Sequence, residues 1–427
     1  MIKNESTKKV LGNIGWLIFD KLFILLMNLV VIFFIANHYG ATEYGLYQYA
    51  TNIVLILEVI VQLVDGRVVK KEYKVENTDD VVFNTTITKV FLSVLALIIG
   101  SIILLLSERG NLFRVILFIL MIDCIIKNIR FGMENRFEYD LQSKKVVLAS
   151  NVGLFVSTIL QIGAVLVDLE VVYIAIIQML SSIIILGILY SQYVYHYKNR
   201  IKKKTFNKLL MYNIIKESIP LALASAAATV YTRCDSVMLG MMLSTTEVGI
   251  YSISSKLIST IQMLIVPIQT TIFIKMIDWF DNKEKYERNY IRITSIMTWI
   301  AILGVLLSFI ILPEILSLLK PEYLPALDVY KILSVGSIFA YNAILRSSHF
   351  TLIKKGNILM ITQLITVVIN IILNYLFISV WGMNGAALAT VISQGLSLFL
   401  SNLFFEEAKF VFNCQLKAFN PLNILYK

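Results

Sequence analysis

Asp20, Lys21, Glu58, Arg233, Asp235 and Lys256 all stand inside long apolar stretches of this 427-residue sequence. A charge at membrane depth costs about 3 kcal/mol or more, so such residues pair with one another or mark the path of a substrate or ion. Arg233 precedes Leu243, the end of its stretch, by ten residues, and Lys256 follows Val248, the start of the next, by eight. At about 1.5 Å per helical residue the two lie ~15 Å and ~12 Å from the same membrane face. A guanidinium offers a two-pronged donor fork and an ammonium a point charge, so together they suit the oxygens of a pyrophosphate. The competing assignment pairs one of them with Asp235 and merely ties two helices. Arg233 and Asp235 stand about 200° apart around a helix, so both cannot face one cleft. In the first half, Lys21 either bridges to Glu58 or joins the substrate path. Asp20 or Glu58 is placed to take up a proton or Na⁺, as is Asp235.

Neutral polar residues form rows on later stretches. Gln363, Asn370 and Asn374 fall within about 40° on one helix face, and Thr390, Gln394, Ser397 and Ser401 share another stripe. Such rows suit sugar hydroxyls and equally suit bonding between helices in lipid. Asp123, Lys127 and Arg130 lie near a helix end and are expected to snorkel to the interface. Cys124, Cys234 and Cys414 are isolated and read as packing residues, not as a disulfide framework or a metal pair.

The elements that must hold these residues follow from hydropathy. Of all residues 58% are hydrophobic, and the mean hydropathy is +0.77. Twelve apolar runs are read as membrane crossings, eleven of them reaching the ~20 residues a helix needs to span a bilayer and 112–127 about a turn shorter: 11–37, 44–65, 87–106, 112–127, 146–167, 171–193, 214–243, 248–273, 291–319, 327–347, 358–380 and 385–405. The runs are continuous, Leu/Ile-rich and unalternating, which predicts helices and excludes barrel strands. With the N-terminus inside, Lys and Arg gather in segments 67–89, 127–145, 198–216 and 275–292, while the outer side keeps only Arg109, Arg114, Lys320 and Lys331. That asymmetry predicts cytoplasmic N- and C-termini. The first run is too long for a signal-peptide core and lacks a small-residue cleavage site, so it is expected to stay as the first helix. The net charge of +10 lies in these inner loops, which makes anionic lipid headgroups, not nucleic acid, the expected partner.

No loop is long enough for a soluble domain of ~50 residues. The sequence holds no phosphate-binding GxxxxGK[ST] loop, no HExxH and no GxSxG elbow, so neither nucleotide hydrolysis nor another catalytic activity is expected, nor a resident cofactor. A transporter remains. The basic stretch 198–213 divides six runs in 1–197 from six in 214–427. Ala41-Thr-Glu-Tyr-Gly-Leu-Tyr47 after the first run aligns with Thr245-Thr-Glu-Val-Gly-Ile-Tyr251 after the seventh, in a register that superposes the helices around them. Locally, each reads as an external turn with Thr as helix cap and Tyr in the interfacial belt. The expected fold is an all-α integral membrane protein of twelve transmembrane helices in two six-helix bundles related by a parallel repeat.

Asn13-Ile-Gly-Trp16, Gly40-Ala-Thr-Glu-Tyr-Gly-Leu-Tyr47, Tyr231-Thr-Arg-Cys-Asp-Ser-Val-Met-Leu239, Tyr323-Leu-Pro-Ala-Leu-Asp-Val-Tyr330 and Trp381-Gly-Met-Asn-Gly-Ala-Ala-Leu-Ala-Thr390 together resemble the landmarks of the polysaccharide repeat-unit flippases. These serve O-antigen, capsule and teichuronic acid synthesis within the multidrug/oligosaccharidyl-lipid/polysaccharide exporter superfamily. The resemblance covers essentially the whole chain. It implies movement of a polyprenyl-pyrophosphate-linked oligosaccharide from the inner to the outer leaflet of a microbial plasma membrane, ahead of a polymerase. A cation-coupled small-molecule exporter of the same superfamily is the alternative.

Overall fold

The computed structural model describes the backbone of residues 2–76, 78–106, 109–197, 205–263 and 265–425. The side chains of Asp20 and Lys21 lie outside the described residues, and the expectations for those two positions with them. No strand occurs among the described residues. Seven helices there are long and apolar enough to cross a membrane, judged by length and composition.

The first helix, α1 (Ile2–Leu57), runs through two of the expected runs and breaks once, at Gly40, whose φ of 75° and ψ of 175° are non-helical. Only glycine adopts that conformation at little cost, so one helical stretch turns into the next without a loop. Gly382, at φ 58° and ψ −131°, does the same inside α14 (Gly356–Leu398). The second run does not finish as α-helix. It tightens into a 3₁₀ turn at Glu58–Leu63 and restarts as α2 (Gly66–Glu72), capped by Asp65, whose carboxylate accepts from the Arg67 amide. The Lys89 ammonium donates to the Val61 carbonyl inside this turn, 2.7 Å away, and lies 4.0 Å from the centre of the Phe131 ring.

The remaining helices are α3 (Thr78–Leu106), α4 (Asn111–Ile129), α5 (Phe131–Tyr139), α6 (Ser143–Leu166), α7 (Val172–Tyr197), α8 (Lys208–Met242), α9 (Thr245–Gln262), α10 (Ile265–Trp279), α11 (Lys283–Ser317), α12 (Ala326–Asn342), α13 (Arg346–Leu352) and α15 (Lys409–Lys417). The chain divides into two compact units, Met1–Thr229 and Val230–Lys427, with the boundary inside α8. In the first unit α1 packs on α6 and α4, and α4 on α7. The short helices α2 and α5 carry basic residues and are tied by the Lys70–Glu138 ion pair, while Arg136 and Asp140 pair along α5 itself. In the second unit α12 sits between α9, α11 and α14. Large apolar side chains such as Leu105, Leu166 and Ile310 face outward, as helices require when the surrounding solvent is lipid.

Candidate functional site

The second unit builds its polar site on α8, α9 and α14. Asp235 of α8 is 5% exposed. Its Oδ2 accepts the Tyr251 hydroxyl at 2.7 Å and the Thr390 hydroxyl, and its Oδ1 accepts the Asn374 amide at 2.8 Å. Tyr231, one turn earlier on α8, donates to the Thr390 carbonyl at 3.2 Å, so Thr390 is itself held in place. All of these groups are neutral, and among the described residues Asp235 forms no ion pair. A buried carboxylate held only by dipoles keeps an unmatched charge. Around it Asn370 and Asn374, fully buried, leave their Oδ1 atoms without hydrogen-bond partners. Oxygens in surplus beside one acid suit a proton or a small monovalent cation.

The expected tie between Asp235 and a basic residue is therefore not what forms. Arg233, about 200° around the helix, is exposed while Asp235 is buried, and Lys256 of α9 is half-buried. With the adjacent acid turned away, the Arg233 guanidinium is left as an exposed anion-seeking fork. Gln363 stands two helical turns from Asn370 on the same helix and is half-buried, with no hydrogen bond among the described residues. Asn370 and Asn374 are drawn into the Asp235 network, so the row expected from spacing is split between an open and an enclosed position.

The repeated tyrosines do not sit in an interfacial belt. Tyr251 is 2% exposed and bonded to Asp235, and its counterpart Tyr47 in the first unit is also buried and donates to Gln178 Oε1. The helix cap beside Tyr251 is Ser244, two residues before the recurring Thr246. Its hydroxyl accepts from the Thr246 amide and donates to the Glu247 carboxylate. Asp123, expected to snorkel, is 1% exposed. Lys127 reaches in to pair with it at 2.6 Å, because a lysine stem can bend toward a fixed acid while an aspartate is too short to reach the interface. Glu58 begins the 3₁₀ turn and has no ion-pair partner among the described residues. The three cysteines are buried and free. Residue spacing carried no sign of Tyr251 and Thr390 as acid partners; the one available hint was the recurrence of Tyr at the same place in both repeats.

The profile of the polysaccharide biosynthesis protein family matches residues 10–274, well over half of the chain. The chain belongs to this family. No curated protein matches this member of the polysaccharide biosynthesis family. Among solved structures, it is similar to a multidrug resistance MATE family transporter of the MOP superfamily in an inward-facing conformation, at TM-score 0.72 and 14% identity, covering 92% of this chain and 96% of that one. It is equally similar to the lipid II flippase MurJ in an inward closed conformation, at TM-score 0.72 and 15% identity over 97% and 92% of the two chains. The MATE multidrug transporter DinF-BH aligns at TM-score 0.65 and 13% identity over 95% and 96%. The family member thus has the fold of MOP-superfamily membrane transporters.

Proposed function

We propose that this chain is a flippase that carries a polyprenyl-pyrophosphate-linked oligosaccharide repeat unit from the inner to the outer leaflet of the plasma membrane by alternating access. Twelve transmembrane helices with both termini in the cytoplasm are part of this reading. The breaks at Gly40 and Gly382, each splitting one long helix, support the count. Arg233 and Lys256 hold the pyrophosphate. The carrying observation is the disposition of α8: Arg233 is exposed on the side away from Asp235, whose buried carboxylate is spent on the neutral Tyr251, Thr390 and Asn374. Asp235 takes the proton or Na⁺ whose passage drives the cycle, and Lys21, Gln363 and the open polar row meet the sugar. A polymerase outside consumes the product. The membership in a polysaccharide biosynthesis family and the likeness to MurJ favour this substrate.

A cation-coupled small-molecule exporter is the second reading, favoured by the MATE neighbours. Deleting the gene in its host and analysing surface glycan and polyprenyl-linked intermediates separates the two. Loss of polymer with lipid-linked repeat units held inside is the expected result, with Arg233→Ala and Asp235→Asn failing to complement at normal expression. Unchanged glycan with new sensitivity to cationic drugs overturns the flippase reading in favour of the exporter.

A further inference from the structure

Between α9, α11 and α12 the second unit holds a cavity of about 230 Å³ that shares no residue with the Asp235 network. Its α12 wall is Tyr330, Ser334, Ser337 and Tyr341, whose spacing makes one stripe on one helix face. The stripe covers three turns, about 16 Å along the axis, so the cavity is drawn out along the helices. The hydroxyls nearest its middle and inner end are already engaged. Ser334 donates to the Lys331 carbonyl at 2.8 Å, Ser337 accepts the Gln262 amide at 3.1 Å, and Tyr341 donates to the Ile261 carbonyl at 2.8 Å. The α9 and α11 walls carry no polar side chain. On α11, Ala301 and Gly304 leave them low, and a Cβ added at Gly304 would meet no atom within 4 Å. Ile300, at the rim, continues into Leu303 and Leu307 on the same face of α11, all three more than half exposed, so the cavity opens on a lipid-facing side.

We propose that this cavity seats the first isoprene units of the polyprenyl chain. The inference rests on the flippase reading above and names where the lipid part of that substrate docks. A buried water needs two or more polar partners, and these hydroxyls are spent within the protein, so the cavity selects an apolar occupant. An apolar cavity of ~150 Å³ takes a six-carbon ring, so this one takes roughly one or two five-carbon isoprene units. Depth then separates the isoprenoid from an ordinary membrane lipid. Ile258 and Ile261 in the cavity wall stand two and five residues beyond Lys256 on α9, about 3 and 7.5 Å deeper along the axis. A pyrophosphate held at Lys256 therefore delivers the first carbons of its chain at the level of the cavity. A phospholipid keeps its phosphate at the interface, ~12 Å further out by the same rise. Shape favours the same occupant. The space beside Ala301 and Gly304 receives a methyl branch, whereas a straight acyl chain leaves it empty and forfeits those contacts.

The test places the purified full-length protein in phosphatidylcholine nanodiscs with a polyprenyl phosphate that carries a diazirine on its first isoprene unit, and maps the cross-linked peptides by mass spectrometry. Cross-links are expected on 258–261 and 300–305. Unlabelled polyprenyl phosphate is expected to compete about tenfold or more better than hexadecyl phosphate, which has the same head and a straight chain. Gly304→Leu, which grows into the empty space, is expected to cut labelling about tenfold, with Ala301→Val as the milder filling variant should leucine prevent folding. Both are judged on protein that elutes as wild type does. Equal competition by hexadecyl phosphate overturns the proposal and gives the cavity to ordinary acyl chains. Cross-links confined to other segments, or labelling unchanged in the folded filling variants, overturn it as well. Surface glycan unchanged by gene deletion sinks the flippase reading itself, whereas lost glycan together with labelling indifferent to the filling variants sinks the tail site alone.

Discussion

The two units bury an aspartate beneath the same repeated tyrosine and treat it in opposite ways. Asp235 is met by Tyr251, Thr390 and Asn374, all neutral; Asp123 is met by the Lys127 ammonium and by Gln178. The acids are not equivalent positions of the repeat, since one rides on α8 beside its tyrosine helix and the other on α4. What recurs is the hydroxyl donor. In lipid a neutral network leaves the carboxylate's charge without a matching cation, whereas an internal ammonium supplies one. One unit therefore holds its buried acid with neutral dipoles and the other with an ammonium.

The comparison breaks most visibly through Lys127. Lys127→Met leaves a buried, ionised Asp123 without its partner and is expected to lower unfolding free energy in mixed micelles by about 3 kcal/mol. The low end of the usual range applies because Lys127 is 34% exposed. Asp123→Asn together with Lys127→Met is expected to recover most of the loss. A cost under about 1 kcal/mol for Lys127→Met would remove the pair from the argument.

Asn374→Ala is a smaller perturbation. It takes one of three donors from Asp235, and hydrogen bonds between membrane helices are worth about 0.6 kcal/mol on average and rarely above 1.7, so a loss near 1 kcal/mol is expected. Asp235→Asn is smaller again. With no cation to orphan, and with the new amide still able to accept from Tyr251 and Thr390, stability is expected to stay within about 0.5 kcal/mol of wild type even though transport is lost. A destabilisation as large as that of Lys127→Met would reveal a hidden ionic partner for Asp235.

The smallest effect is the solvated control. The Lys355 ammonium lies 2.8 Å from Glu407, and its hydrogen bond and charge hold that carboxyl below its ordinary range. A lowered carboxylate pKa adds stability above the unfolded value and loses it as pH falls through the folded one. Wild type and Glu407→Gln are expected to differ slightly at neutral pH and to converge below about pH 4, with no divergence between about pH 6 and 9. Divergence at alkaline pH would mean that Glu407 is not the group responsible.

Hydropathy alone determined that this chain is helical and lives in a membrane, because no other secondary structure satisfies its backbone groups within such long apolar runs. The opposition of Arg233 and Asp235 around α8 was legible too, since the rotation per residue is fixed. Partner choice was not. Asp123 could not be told from a snorkelling residue, nor could Asn374 be assigned to Asp235, more than a hundred positions away. Helix periodicity says which residues share a face, and in lipid the faces are nearly uniform in hydrophobicity, so nothing in one segment names the helix it meets. Lys127 stands four residues after Asp123 on α4, a spacing visible in the sequence; the packing of α4 against α1 and α7 decided that the acid is buried, and the fold alone brought Tyr251, Thr390 and Asn374 to Asp235.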